Sequence, residues 1–164
     1  MKKHILHRIT AVATAISALT ASTVGPVMAS TASSNFDVTI QVLSTCSISA
    51  SNMTFGSITT GTTSNTDAAS SLTVNCSSNT PYTVSLSDGA NFSNVRRMAW
   101  GGSYIDYMLY SDSSRTTQWN STITKTGTGS GGDQSLSVFG RIPAGQNVAN
   151  TGAYGDTVIA TVTY

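Results

Sequence analysis

Hydrophobic and polar residues alternate strictly along residues 34–46, SNFDVTIQVLSTC. The apolar positions that share one face of an extended chain are Phe36, Val38, Ile40 and Val42. A period of two over this length is typical of a half-buried β-strand. Because the strand comes before every other predicted element, the pattern leaves open whether it completes its own domain or that of another molecule.

Short apolar runs between turn residues recur along the rest of the chain. They predict strands at residues 46–50, 53–58, 71–77, 82–87, 105–111, 135–142 and 156–164. The stretches rich in Gly, Asn, Asp and Ser are predicted to be loops, at residues 59–70, 87–103 and 124–134. Glutamate is absent and lysine is scarce, so helix formers are few. The sequence therefore predicts an all-β fold, a sandwich of two antiparallel sheets with an immunoglobulin-like arrangement.

The last predicted strand, residues 156–164, runs to the final residue of the sequence. Its alternate positions on one face are Val158, Ala160, Val162 and Tyr164. No later segment follows that could pair with this strand. We therefore expect an uncovered sheet edge here.

Residues 1–29 have the features of a secretory signal peptide: a basic start, a weakly apolar centre and a small-residue end. We place cleavage after Ala29, with Ala32 as the alternative. The apolar run is too broken by Thr and Ser for a membrane span, and no later stretch approaches the roughly 18 apolar residues that one requires. The expected mature chain has about 135 residues, enough for one domain with a full core.

Removal of the signal peptide also removes three of the eight basic residues and both histidines. Five cations then face seven aspartates, and 5 minus 7 gives a net charge of −2. A weakly acidic chain with scattered cations lacks the basic surface of a nucleic-acid binder. We therefore expect no nucleic-acid partner.

The two cysteines, Cys46 and Cys76, lie in a chain that is predicted to be exported. A disulfide is the default interpretation in an oxidising compartment. Two free thiols or a metal pair are the alternatives, but the mature chain has no histidine and no CxxC spacing. We predict no metal and no cofactor.

Enzyme chemistry has little support, because the mature chain lacks histidine and glutamate and has one lysine. Ser-His-Asp and Cys-His mechanisms are therefore excluded. Aspartate pairs remain, but structural roles at turns and strand ends are the expected ones. The Gly-rich stretch 127–134 resembles a phosphate loop only superficially, since no Lys-Ser or Lys-Thr follows. The stretch RRMAW, residues 96–100, is expected to be a surface crossing with Trp100 packed inward.

Several segments together resemble the spore coat protein U domain family, whose members include the pilins of archaic chaperone-usher pili. They are DVTIQVLSTCSI, LTVNCSSNTPYTVSLSDG, RRM, YMLYSD and the C-terminal GAYGDTVIATVTY. The resemblance covers residues 36–164. It departs from the family at Gly155, where members often carry Ser or Thr.

This resemblance implies an immunoglobulin-like domain that lacks its last strand and is completed by a strand from a neighbouring subunit. Residues 30–45 would hold the donor segment, and residues 46–164 the sandwich domain. Phe36, Val38, Ile40 and Val42 would fill the groove of the next subunit, whose acceptor edge would carry Val158, Ala160, Val162 and Tyr164. A periplasmic chaperone would cover this edge before an outer-membrane usher polymerises the subunits at the cell surface.

The length of one domain indicates a shaft subunit that supports surface attachment and biofilm formation. One alternative is a secreted coat protein of the same fold that covers a spore or cell without forming a pilus. Another is a sugar-binding sandwich with Trp100, Trp119 and nearby tyrosines as stacking platforms. In that case the N-terminal strand would pair within its own domain.

Overall fold

The structure is a computed structural model that describes residues 25–164. The predicted signal peptide therefore lies outside the described residues over positions 1–24. Two units are distinguished, residues 1–40 and residues 41–164. In the first, residues 25–40 carry no strand and are exposed. In the part of the chain that is described, no helix is long and apolar enough to cross a membrane.

The second unit holds eight β-strands. They are β1 (Cys46–Ala50), β2 (Thr66–Cys76), β3 (Pro81–Leu86), β4 (Arg96–Trp100), β5 (Ser103–Tyr110), β6 (Lys125–Thr128), β7 (Asp133–Ile142) and β8 (Ala160–Thr163). Five of them form one sheet in the order β1-β2-β7-β5-β4, and three form a second sheet in the order β6-β3-β8. All pairings are antiparallel. The prediction of an all-β, two-sheet sandwich is confirmed.

The core lies between the inward faces of these sheets, because alternate residues along each strand point to the same side. The buried residues that form one core cluster are Leu72, Val74, Cys76, Tyr82, Val84, Leu86, Ile105, Tyr107, Leu109, Trp119, Val138, Ile142 and Val148. The pairing of β1 with β2 places Ile48 opposite Val74, so both contribute to this core. The register is fixed by burial, since a slip of one residue would expose every apolar side chain of a strand.

Cys46 and Cys76 form a disulfide, as predicted. They face each other at the first position of β1 and the last of β2. Cys76 is fully buried, and Cys46 packs against the core. The covalent bond therefore fastens β1, the edge strand of the larger sheet, to its only partner strand in the described range.

The predicted strand at residues 53–58 is absent. Met53, Phe55 and Ile58 do pack against the core, so the alternation was interpreted correctly for the side chains. The backbone, however, takes a positive φ of 73° at Gly56, which breaks an extended strand. The ladder with β2 ends at Ser51, whose N–H donates to the Ser71 carbonyl at 2.9 Å.

Two predicted loops contain strands. Residues 87–103 include β4, which pairs with β5 through a two-residue turn at Gly101 and Gly102. Both glycines have positive φ, 57° and 79°, as a two-residue hairpin turn with the right twist requires. Residues 124–134 include β6, where the backbone of Gly127 lies directly against the Tyr82 ring.

Two strand lengths also differ from the prediction. The strand β2 begins at Thr66 rather than at residue 71, because its first half pairs with β7 as far as Ile142. The strand β8 covers only residues 160–163 of the predicted 156–164, since its partner β3 ends at Leu86.

Candidate functional site

A groove lies beside the two unpaired edges of the sandwich, where residues 50–60 face residues 150–160; beyond it, β1 and β8 come close to each other. One side is the segment of residues 46–60, here called the N-terminal wall. The other side is the segment of residues 150–163, here called the C-terminal wall. The two walls hold the first and last strands of the domain, and each has a paired neighbour on one side only.

The C-terminal wall presents free backbone groups to the groove. The Ser87 N–H donates to the Ile159 carbonyl at 2.8 Å, so residue 159 directs its backbone toward β3. Hydrogen-bonding groups alternate sides along a strand, and therefore Val158, Ala160 and Val162 direct theirs away from β3. Among the described residues, β8 pairs with β3 alone. The wall is thus an edge with pairing capacity left over.

The side chains of these same three residues are half-buried and pack against the core. The structure thus brings two members of the predicted acceptor edge, Val158 and Ala160, to the lining of the groove, while Val162 lies further along β8. The fourth, Tyr164, is 58% exposed and lies beyond the end of β8.

The N-terminal wall has the same construction. Ser51 and Thr45 are bonded to the β2 side, through Ser71 and Ser77 respectively. Even-numbered residues of β1 therefore direct their backbone groups to the open edge, while the side chains of Cys46 and Ile48 point to the core. Both sides of the groove are sheet edges of the kind to which another strand can add.

The groove between the walls contains two adjoining cavities of about 600 Å³ and about 480 Å³. The side chains that line both are Met53, Phe55, Met98 and Tyr154. Core residues form the floor of the smaller cavity, including Leu72, Leu86 and Leu109. An elongated cleft with an apolar floor and free backbone groups on its rims is suited to an extended peptide with alternating apolar side chains.

Asp156 holds the C-terminal wall in place. Its Oδ1 accepts hydrogen bonds from the Ala90 and Asn91 backbone N–H groups at 2.9 and 3.2 Å. Its Oδ2 accepts a bond from the Tyr107 hydroxyl at 2.6 Å. Burial, together with the bond to this carboxylate, raises the pKa of Tyr107. The tyrosine stays protonated and donates, so the wall is tied both to the 87–95 loop and to β5.

Arg96 holds the end of β3 next to the same wall. It is 7% exposed, and its guanidinium donates to the carbonyls of Leu86, Ser87 and Trp119 at 2.7–3.2 Å. Burial lowers the pKa of this guanidinium, although an arginine remains charged at any ordinary pH. The positive charge of Arg96 is stabilised by the dipoles of these carbonyl groups, and Arg96 forms no ion pair within the described residues.

The expectation for residues 96–100 was wrong on this point. The buried member of the stretch is Arg96, whereas Trp100 is 49% exposed and lies against the backbone of Gly152. Sequence reasoning missed Arg96 because a charged residue in a Gly-rich stretch indicates a surface loop. Its one signal was the alternation of the RRMAW segment, which places Arg96 and Met98 on the same face of β4.

The structure does not place Trp100 and Trp119 together as stacking surfaces for a sugar, which was the alternative interpretation. Trp119 is fully buried, and its indole N–H donates to the Val84 carbonyl at 2.9 Å. It therefore cannot stack on a ligand. A sugar-binding site on Trp100 and Trp119 together is excluded.

The aspartates have structural contacts. Asp67 pairs with Arg141 at 2.7 Å, a bond that lowers the pKa of the carboxyl group, and Arg115 lies 3.3 Å away. Asp112 accepts hydrogen bonds from the backbone N–H groups of Thr117 and Thr116 in its own turn. These bonds, with that from Thr117 the largest cause, lower the pKa of Asp112. Within residues 25–164, no group of three or more His, Cys, Asp or Glu side chains could hold a metal ion.

The predicted donor residues are exposed. The relative exposures of Phe36, Val38, Ile40 and Val42 lie between 83% and 90%. The alternating polar positions, Asp37, Thr39 and Gln41, are exposed as well. Residues 36–42, which alternate between apolar and polar side chains, therefore form no strand, and both sets of side chains are exposed.

Comparison with known proteins identifies the relatives of this chain. The sequence profile of the Spore Coat Protein U domain matches residues 32–161. Protein U of Myxococcus xanthus is 40% identical over 77 residues, which are 43% of this chain and 41% of that protein. The chain thus spans less than half the length of this relative.

A solved structure is also similar. It is the CsuC–CsuE chaperone–tip adhesion subunit pre-assembly complex from the archaic chaperone-usher Csu pili of Acinetobacter baumannii. The match to one of its chains has a TM-score of 0.57 and 28% sequence identity. It covers 75% of this chain and 40% of that one.

Proposed function

This chain belongs to the Spore Coat Protein U domain family, and we propose that it is a pilus subunit polymerised by donor-strand exchange. The N-terminal segment of one subunit, with Phe36, Val38, Ile40 and Val42, enters the groove of the next. The single observation that carries this proposal is the groove between two sheet edges, in a chain whose best alternating segment is exposed.

The energetics favour insertion only where a second edge is waiting. Burial of four such side chains contributes about 2 kcal/mol each, on the order of 8 kcal/mol in all. Ordering eight residues costs a comparable 8 to 16 kcal/mol, roughly. The remaining favourable free energy comes from hydrogen bonds that the inserted strand forms with free backbone groups, such as those of Val158 and Ala160.

The product of this exchange is a fibre. Each subunit donates one surface, the segment 36–43, and accepts with a different one, the groove. Such a heterologous contact does not close on itself and continues from subunit to subunit. This supports a role as a shaft subunit, with surface attachment and biofilm formation as the role of the fibre.

The proposed partners are a periplasmic chaperone, an outer-membrane usher and identical or related subunits. The relative in the Csu system is a chaperone–subunit complex from a chaperone-usher pilus, which supports the first of these. An apolar groove with free edges is an aggregation hazard, so a protein that covers it before assembly is expected. We propose export through the periplasm to the cell surface.

Ile40→Asp tests the proposal, with Thr39→Asp as the matched control. Both add one carboxylate to neighbouring exposed positions outside β1–β8, so neither alters the core of the subunit itself. Only residue 40 faces the groove after insertion, and a buried unpaired charge is strongly unfavourable. We expect fibres from Thr39→Asp and none from Ile40→Asp under electron microscopy. Normal fibres from both variants would contradict donor-strand exchange.

A coat protein that forms a layer rather than a pilus is the second candidate. It is favoured by the description of the matching family, Spore Coat Protein U domain. Immunogold electron microscopy distinguishes the two candidates, because a pilus labels along thin fibres and a coat labels as a continuous layer. Chaperone and usher genes beside this one would favour the pilus.

A further inference from the structure

The N-terminal segment is attached directly to the N-terminal wall of the groove in its own subunit. A short flexible tether gives a segment an effective concentration of about 1 mM. At about 1 μM subunit, this favours insertion into the segment's own groove roughly 1,000-fold over insertion into another one. Polymerisation as proposed above therefore requires that self-insertion be blocked.

We propose that the three residues between Val42 and Cys46 block it, so that the segment completes another molecule's groove. This inference rests on the proposed function. A segment so close to β1 reaches its own groove only by folding back along the free edge of β1 as a hairpin. The number of loop residues then decides which of its faces meets the core.

Side chains of β1 point inward at Cys46 and Ile48 and outward at Ser47 and Ser49. Residues opposite each other in an antiparallel pair share a face. A two-residue loop at residues 44–45 would place Leu43 opposite Cys46. Gln41, Thr39 and Asp37 would follow it into the groove.

The most common hairpin thus presents the wrong face. Phe36, Val38, Ile40 and Val42 would point to solvent, and a charged aspartate would be buried against β1. Every loop with an even number of residues has this consequence, because the side-chain period is two.

Loops with an odd number of residues present the correct face but are opposed by Thr45. A three-residue loop, residues 43–45, places Val42 opposite Cys46 and requires a left-handed conformation at its last residue, as a rule a glycine. Thr45 is β-branched, which makes that conformation costly. A five-residue loop, residues 41–45, moves Val42 out of the groove and into the turn.

Thr45 is also held in an extended position. Its carbonyl accepts from the Ser77 N–H at 2.9 Å, and its N–H donates to the Ser77 hydroxyl at 3.0 Å. These bonds extend the β1–β2 ladder by one residue beyond the Cys46–Cys76 disulfide. Any hairpin that turns at Thr45 must break these two hydrogen bonds.

Two variants with the same turn test the inference. Ser44→Asn with Thr45→Gly favours an Asn-Gly hairpin turn directly before Cys46, and once formed this turn breaks the backbone bonds of residue 45 to Ser77 in both variants. In the first variant nothing else changes, and Leu43 stands opposite Cys46. In the second variant Leu43 is also deleted, so Val42 takes that position and the apolar face turns inward. The deletion of Leu43 alone controls for the shorter linker.

Only the second variant is expected to insert into its own groove. Hydrogen exchange at residues 36–42 should be slowed in it, and fibre mass at about 1 μM subunit should fall by up to about 1,000-fold. The first variant and the deletion alone should assemble like the natural chain, with fast exchange in the free subunit. Equal behaviour of the two Asn-Gly variants, whether both assemble or both become protected monomers, would overturn the inference.

The readouts separate this inference from the proposed function. Ile40→Asp decides whether the segment enters a groove of another subunit at all. If no variant forms fibres, the exchange measurement still distinguishes the two loop lengths. A natural chain that is itself a stable monomer with residues 36–43 protected would overturn both.

Discussion

Replacement of Arg96 should cost more stability than any other exchange of a charged residue in this domain. Its guanidinium forms hydrogen bonds with three carbonyls from two segments, and those to Leu86 and Trp119 are buried. In Arg96→Ala these two buried carbonyls lose their donor. The bond to Ser87 is only partly buried, so water can replace it.

The magnitude follows from the two buried carbonyls. Each buried polar group left without a partner costs about 1–3 kcal/mol. Together with the cavity left by the side chain, we expect a loss of about 3–5 kcal/mol from the free energy of unfolding. That is a large part of the roughly 5–15 kcal/mol typical of a domain. At roughly 4 °C per kcal/mol for a domain of this size, Tm falls by at least about 10 °C.

Arg97→Ala is the matched control, since it lies next in sequence on the opposite face of β4. Its guanidinium stacks on the Tyr104 ring at 4.1 Å and donates to the Asn91 carbonyl at 3.0 Å. An exposed cation–π contact contributes about 0.5–1 kcal/mol, so the loss should stay within about 2 kcal/mol. Arg96→Lys should fall between the two, because one ammonium cannot reach all three carbonyls.

The assay is urea unfolding of the purified chain, with the disulfide intact and all variants in the same assembly state. The slope m should be unchanged, so that the shift in midpoint reports stability alone. A loss below about 1 kcal/mol for Arg96→Ala, or equal losses for Arg96→Ala and Arg97→Ala, would refute the reasoning from buried carbonyls.

Three further predictions concern the walls of the groove. Exchange of Cys46 and Cys76 for Ser removes a cross-link of sequence separation 30 and should lower the free energy of unfolding by about 3.5 kcal/mol, whereas an unchanged urea midpoint would contradict this. The raised pKa of Tyr107 means that its contribution to stability is complete below the unfolded value of about 10 and declines as the pH rises above it. Between about pH 9 and 11, the Tm of the natural chain should therefore drop by more than the Tm of Tyr107→Phe. An equal drop in Tm for the two proteins would contradict this prediction. Gly140→Ala would place a methyl group within 3 Å of side chains of the N-terminal wall and should cost about 1–3 kcal/mol, while Gly132→Ala, in open space, should not change Tm.

The sequence predicts the strands in which apolar residues alternate with polar ones. It does not predict the strands that are built mainly from charged residues and glycines. The strand β1 matches its prediction to the residue, and β3, β5 and β7 match within one or two. The strands β4 and β6 were interpreted as loops because Arg, Lys and Gly dominate them. Both are edge strands, where charged residues and glycines are tolerated because one side of the strand has no neighbouring strand.

The site was predictable in part for the same reason. The C-terminal side of the groove follows from local pattern, because Val158, Ala160 and Val162 occupy alternate positions of the last predicted strand. The contacts that hold the walls were not predictable, since Asp156 and Ala90 are 66 residues apart in sequence and meet only through the fold. Nothing local marks Asp156 as the partner of a buried tyrosine.

The walls are held by side-chain contacts rather than by a strand between them. The disulfide fastens the N-terminal wall to β2, Asp156 fastens the C-terminal wall to Tyr107, and Arg96 fixes the end of β3 beside it. In a complete sandwich, a strand between the two edges would supply much of this restraint through its own hydrogen bonds. Here the restraint is present without that strand, which leaves the inner rims free. A groove held in this way can keep its shape without a strand in it, as the proposed insertion of residues 36–42 requires.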